Sequence, residues 1–64
     1  MTAKEARDNI GGTVIYQGRP YRLLELIYWW YDLDEQFHWS AMLVERETNT
    51  GLRVPLEEVE GCDT

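Results

Sequence analysis

Ser40 lies two residues after His38. On an extended strand that spacing projects both side chains from one face, as a nucleophile and its general base require. A working triad also needs a third group to orient the imidazole, and geometry rather than nearness in sequence defines it. The sequence sets no such group beside His38, so the pair reads as the polar side of a strand. Asp32, Asp34 and Glu35 are spaced acids of the sort that bind calcium. The glycine and terminal glutamate of a calcium loop are missing, and a solvated turn is the expectation. Glu57, Glu58 and Glu60 read as another solvated turn, or as the negative complement to the start of a short helix. Gly11, Gly12 and Gly18 are not followed by the lysine-serine or lysine-threonine pair of a phosphate loop. Cys62 and His38 are each the single residue of their type, which excludes an internal disulfide and a Cys/His zinc set. Cys62 reads as a bystander. No enzymatic activity, metal or cofactor is expected.

The unusual feature is the stretch LELIYWWYDLDEQFHW, residues 24–39, which carries rings at Tyr28, Trp29, Trp30, Tyr31, Phe37, His38 and Trp39. A 64-residue chain buries a small share of its surface and has little interior for seven rings. Trp29 and Trp30 are adjacent, and successive side chains of a strand point to opposite faces. One of the two indoles must therefore leave the interior.

The elements that position these rings follow from local pattern. Residues 1–12 form an N-terminal helical segment: Thr2 and Glu5 have the spacing of a capping box, and Asn9 with Gly11-Gly12 stops the helix. Ala3, Ala6 and Ile10 are its docking residues. TVIYQGRPYRLLEL, residues 13–26, reads as a hairpin around a type II′ turn at Gly18-Arg19. That register sets Gln17 opposite Pro20, Tyr16 opposite Tyr21 and Val14 opposite Leu23, with Val14, Tyr16, Tyr21 and Leu23 facing the core. Unbroken alternation would bury Glu25, which is costly, so a β-bulge is expected near Leu24-Glu25. Beyond it Leu26, Tyr28 and Trp30 point inward, and Ile27, Trp29 and Tyr31 outward. FHWSAMLVER is the next strand, with Trp39, Ala41 and Leu43 inward and Met42 and Val44 on the other face, under the helix. Asn49 and Gly51 suit a turn with positive φ. LRVP is a short strand, with Leu52 and Val54 on one side. PLEEVE is a single helical turn or a last short strand. The barrel domain covers 13–60, and 61–64 is a tail.

Charge narrows the partners. The chain carries −6. Residues 1–31 hold four basic against three acidic side chains, and residues 32–64 hold Arg46 and Arg53 against nine acids, a balance of −7. Nucleic acid is a poor match, because phosphate binding needs clustered Lys and Arg. Acidic surfaces attract basic proteins, and excess acid also keeps an aromatic-rich protein soluble. No segment resembles a signal peptide or approaches a membrane span. With one thiol and no leader, the cytoplasm is the expected compartment.

Four or five short antiparallel strands, strongly bent, with one helical turn near the end define the expected fold class: mostly β, a small SH3-like barrel with a short N-terminal helix. The spacing V-x-Y-x-G-x-x-Y-x-L at 14–23, followed by W-x-x-M-L-V-E and G-L-R-V-P-L-E-E-V-E, resembles the small SH3-like domains of short phage and mobile-element proteins, and more loosely Tudor-type domains. The resemblance covers roughly residues 13–60 and implies a binding role without activity. The binding residues expected are Ile27, Trp29 and Tyr31, with Asp32, Asp34, Glu35 and Phe37 around them. The patch has three candidate covers: the N-terminal helix, a second copy in a C2 homodimer, or another protein, basic in character. The Tudor likeness adds a fourth use, an aromatic cage for methylated lysine or arginine, with Tyr31 and Asp32 or Phe37 and Glu35 contributing. The rival class is a nucleic-acid-binding barrel that stacks single-stranded bases on exposed rings, for which Arg19, Arg22 and Arg53 would have to converge beside Trp29 or Tyr31.

Overall fold

A computed structural model describes residues 1–61; Cys62 and the rest of the expected tail beyond Gly61 lie outside the described residues. The chain is mostly β. Helix α1 (Ala3–Asp8) is followed by β1 (Thr13–Tyr16), β2 (Arg19–Tyr31), β3 (Gln36–Val44), β4 (Gly51–Pro55), a 3₁₀ turn at Leu56–Glu58, and β5 (Val59–Gly61). All five strands are antiparallel in one sheet of order β4-β3-β2-β1-β5, a small barrel-like domain. Both alternatives for PLEEVE occur in succession, first the helical turn and then the strand.

Half of the capping box that the Thr2/Glu5 spacing predicts forms: Thr2 Oγ1 accepts from the Glu5 backbone N–H at 3.2 Å, but the Glu5 carboxylate accepts from the Thr2 hydroxyl instead of the Thr2 backbone N–H. Two turns of helix are marginal alone. Here α1 is held by Ala6, which is fully buried in one cluster with Val14, Leu23, Ala41, Leu43, Val54, Leu56 and Val59. Ala3 and Met1 pack against that cluster, whereas Ile10 stays exposed. The helix therefore docks on the core side of the sheet. Met42 and Val44 alternate with the core residues Ala41 and Leu43 and lie on the other side, so they are not under it.

The first hairpin turns one residue earlier than the Gly-Arg pair suggests. Val14 faces Tyr21, Ile15 faces Pro20 and Tyr16 faces Arg19. The turn residues are Gln17 and Gly18, at φ 51° and 76°. Two positive φ values make a type I′ turn, whose twist matches that of the flanking strands, and this replaces the II′ geometry. Every expected pairing moves by two residues, which leaves parity unchanged. Val14 and Leu23 are accordingly fully buried, with Tyr16 and Tyr21 packed beside them. In the β3–β4 turn Asn49 has the positive φ expected, at 58°, but Gly51 does not; it is already the first residue of β4.

The bulge falls where the buried-carboxylate argument places it. Leu23 pairs with Leu43 and Glu25 with Met42, which leaves Leu24 as the extra residue. Glu25 is exposed and Leu26 returns to the core side opposite Ala41. A straight 13-residue strand would run about 40 Å. The molecule's longest axis is 35 Å, and a bulge is a point at which a strand bends.

Candidate functional site: a projecting aromatic ribbon

The core stops short of the rings. β1 pairs with β2 only as far as Arg22, and β4 ends at Pro55 opposite Ser40. Beyond Ile27 and Ser40, β2 and β3 continue alone as a two-stranded ribbon that pairs Tyr28 with Trp39, Trp29 with His38, Trp30 with Phe37 and Tyr31 with Gln36.

One face of the ribbon presents Tyr28, Trp30, Phe37 and Trp39. Alternation puts Tyr28, Trp30 and Trp39 on the same side as Leu26 and Ala41, as expected, but they are not interior. Their exposures are 56, 48 and 41%, with Phe37 at 54%. The expectation that these three rings fill the core is overturned: among the described residues neither β1 nor β4 pairs beside this length of ribbon, and the rings stay largely open to solvent. They pack on one another instead. Tyr28 stacks on Phe37 with centroids 4.8 Å apart and planes 12° from parallel. Trp39 lies 4.6 Å from Tyr28, and Trp30 meets Phe37 edge-on at 5.1 Å. The result is a continuous four-ring layer open to solvent.

The other face carries Ile27, Trp29 and Tyr31 together, as expected for the outward set. It is the better covered of the two: Ile27 and Trp29 are half-buried and Tyr31 is exposed. Trp29 Nε1 donates to Ser40 Oγ, the Arg53 guanidinium lies 5.2 Å from the Trp29 ring centroid, and Tyr31 and His38 pack beside the indole. Helix α1 is docked through Ala6 in the core cluster, and its first residue, Ala3, borders the cavity that Trp29 and Tyr31 also line.

The acids form the turn at the ribbon's tip. Asp32 accepts from Trp30 Nε1. Asp34 accepts from the Gln36 backbone N–H through one oxygen and lies 2.6 Å from His38 Nε2 through the other. Glu35 takes a positive φ of 53° to close the turn. Of the expected binding residues, then, Ile27, Trp29 and Tyr31 share a face, Phe37 lies on the opposite one, and Asp32, Asp34 and Glu35 sit at the end between them. Tyr31 and Phe37 stand on opposite faces of the ribbon, although both border one cavity, and the Arg53 guanidinium lies over the Trp29 ring.

Asp34 is the orienting group for His38 that the sequence did not reveal. It sits four residues before His38, brought back by the hairpin. Ser40, however, is buried, and its Oγ accepts from the Trp29 indole. Among the described residues no three His, Cys, Asp or Glu side chains are grouped to hold a metal ion, and no helix is long and apolar enough to cross a membrane.

Of the three arginines a nucleic-acid site would need, only Arg53 reaches Trp29. Arg19 and Arg22 pair with Tyr16 and Thr13 on the first hairpin, at the other end of β2 from the rings. Comparison of the chain with protein-family models, curated proteins and solved structures finds no match.

Proposed function

We propose that the chain is a non-enzymatic protein-binding module whose contact surface is the β2–β3 ribbon, with the ring layer Tyr28, Trp30, Phe37 and Trp39 as its centre. The observation that carries this reading is that four large rings stand about half exposed in a single layer. Large rings bury about 150–250 Å² each, so the layer offers on the order of 400 Å², the size of the largest apolar patch on a typical monomer. Tyr and Trp dominate binding energy at interfaces. Rings that already brace one another lose little freedom on binding.

Asp32, Asp34 and Glu35 at the tip give the surface an acidic end, which steers a basic partner and discourages pairing of two copies tip to tip. The spacing V-x-Y-x-G-x-x-Y-x-L at 14–23 and the two motifs after it resemble the SH3-like domains of phage and mobile-element proteins. On that resemblance the partner is a host protein that handles nucleic acid, with the acidic tip occupying its basic groove, in the cytoplasm.

The test compares the parent with a Tyr28→Ser/Trp30→Ser double variant in capture from native lysate, followed by titration of the purified partner across salt concentrations. The expected result is a captured protein whose affinity falls at least tenfold in the variant and weakens as salt rises. Equal capture by both proteins would overturn the reading. Quenching of tryptophan fluorescence by a single-stranded oligonucleotide at low salt would replace it with the nucleic-acid class.

A further inference from the structure

We propose that the open edge of β3, Gln36–Trp39, is a docking edge for an extended basic peptide segment, which adds to the sheet as a strand beside β3. This rests on the reading of the ribbon as a protein-binding surface and names the form its partner takes.

The edge exists because β4 is short. Pro55 has no N–H to continue the ladder, and at Leu56 the chain leaves the sheet for the 3₁₀ turn. Among the described residues Gln36–Trp39 therefore pairs with β2 on one side and with no strand on the other. Four residues at about 3.4 Å each give roughly 14 Å of strand with no neighbouring strand on that side, of which the Gln36 N–H is already bonded to Asp34. Proteins usually blunt such an edge with lysine, proline or a bulge. Gln-Phe-His-Trp contains neither of those residues, and the pairing of this segment with β2 runs without a bulge.

A cavity of about 530 Å³ lies here. Its walls include Phe37 and Trp39 from one side of β3, and His38 and Ser40 from the other. Side chains alternate across a sheet, so a cavity that touches both sets straddles the strand's edge rather than lying on a face. Trp29, Tyr31 and Asp34 of the ribbon, together with Met1–Ala3 and Pro55–Glu57, complete the wall. An added strand would thus run in a groove, with backbone partners on β3 and apolar contacts at Trp39 and Leu56.

Charge selects the occupant. The lining carries Asp34, held against His38, and Glu57, with no lysine or arginine; the Met1 ammonium keeps its charge while bonded to the Val59 carbonyl at 3.1 Å, so the carboxylates outnumber it two to one, in a chain that carries −6. In strand addition, main-chain hydrogen bonds give affinity and the side chains of alternate residues give specificity. The complementary segment has β-branched residues at its centre and Lys or Arg at its ends.

The probe is a capped six-residue peptide of alternating valine and threonine between two terminal lysines. Companion peptides are N-methylated at alternate backbone nitrogens, in both phases, or carry glutamate in place of lysine. Tryptophan fluorescence reads binding, and amide exchange reads the edge. The lysine peptide is expected to bind and to slow exchange at alternate amides of residues 36–39 at least tenfold. One methylation phase, the glutamate ends, and the Glu57→Lys variant should each weaken binding at least tenfold. Glu57 is exposed, so that variant leaves the fold intact. Equal binding by both methylated phases, no slowing within 36–39, or no binding of the lysine peptide would each overturn the inference. If the edge fails while Tyr28→Ser/Trp30→Ser still abolishes partner capture, the ring-layer reading survives alone. If the edge is protected while capture ignores that double variant, the ring-layer reading is the one that falls.

Discussion

Trp29 Nε1 donates a 2.7 Å hydrogen bond to Ser40 Oγ, diagonally across the β2–β3 ladder. The bond joins the last turn of sheet that β4 still covers to the first stretch of ribbon that it does not. It explains why Trp29 is half-buried while its neighbour Trp30 stands in solvent. Removing the hydroxyl leaves a half-buried indole N–H without a partner, and that penalty is about 1–2 kcal/mol. Ser40→Ala is expected to lower stability by this amount in urea denaturation. Adding Trp29→Phe should recover part of the loss, because it removes the stranded donor; a strictly additive double variant would deny the coupling.

Arg53 caps the same indole from β4. An exposed cation–π contact contributes about 0.5–1 kcal/mol, and Arg53→Ala should cost that much in the same assay. Because the cation position over Trp29 is filled from within the chain, a trimethyl-lysine peptide should leave tryptophan fluorescence unchanged into the millimolar range. Saturable quenching at micromolar peptide would restore the cage.

The turn at Gln17-Gly18 makes a prediction with the opposite sign. Gln17 holds φ at 51°, a region where asparagine and glycine are favoured over a long side chain. Gln17→Asn should raise the thermal midpoint by a few degrees, as a gain of about half a kcal/mol does in a domain of this size. Gly18→Ala, at φ 76°, should lower it.

Much of this geometry was legible in the sequence. The N-cap at Thr2, a count of four or five strands, a helical turn or a strand at PLEEVE, and the bulge beside Glu25 all follow from local chemistry. The bulge was legible because a carboxylate cannot be left alone in the core. The hairpin register was not, since Gly18 can serve as the first residue of a II′ turn or the second of a I′ turn, and the buried face is the same either way. Alternation placed each ring on its correct side, yet it carries no information about where the core ends. That end is fixed by the reach of other strands, above all by β4 stopping at Pro55 opposite Ser40. Counting back from the Asn49 turn along a five-residue strand would have located it. The Asp34–His38 contact was hidden because the hairpin, and not the spacing, brings the two together.

Where the core ends also decides how size relates to stability. Tyr28 and Trp30 are among the largest side chains here, but each is about half exposed and rests mainly on other exposed rings. Leu23 is smaller and fully buried among Val14, Ala41 and Leu43. Truncating a buried leucine costs about 2–5 kcal/mol, through lost transfer energy and the cavity left behind. Replacing a half-exposed ring leaves no enclosed cavity and gives up only the pair contacts, about 0.5–1.5 kcal/mol each. Leu23→Ala should therefore destabilise the domain more than Trp30→Ser or Tyr28→Ser does, against the order of side-chain size. Chemical denaturation of the three variants checks this. If Trp30→Ser were the most damaging of the three, the ribbon would have to be counted as core and its ring layer would no longer be free to bind.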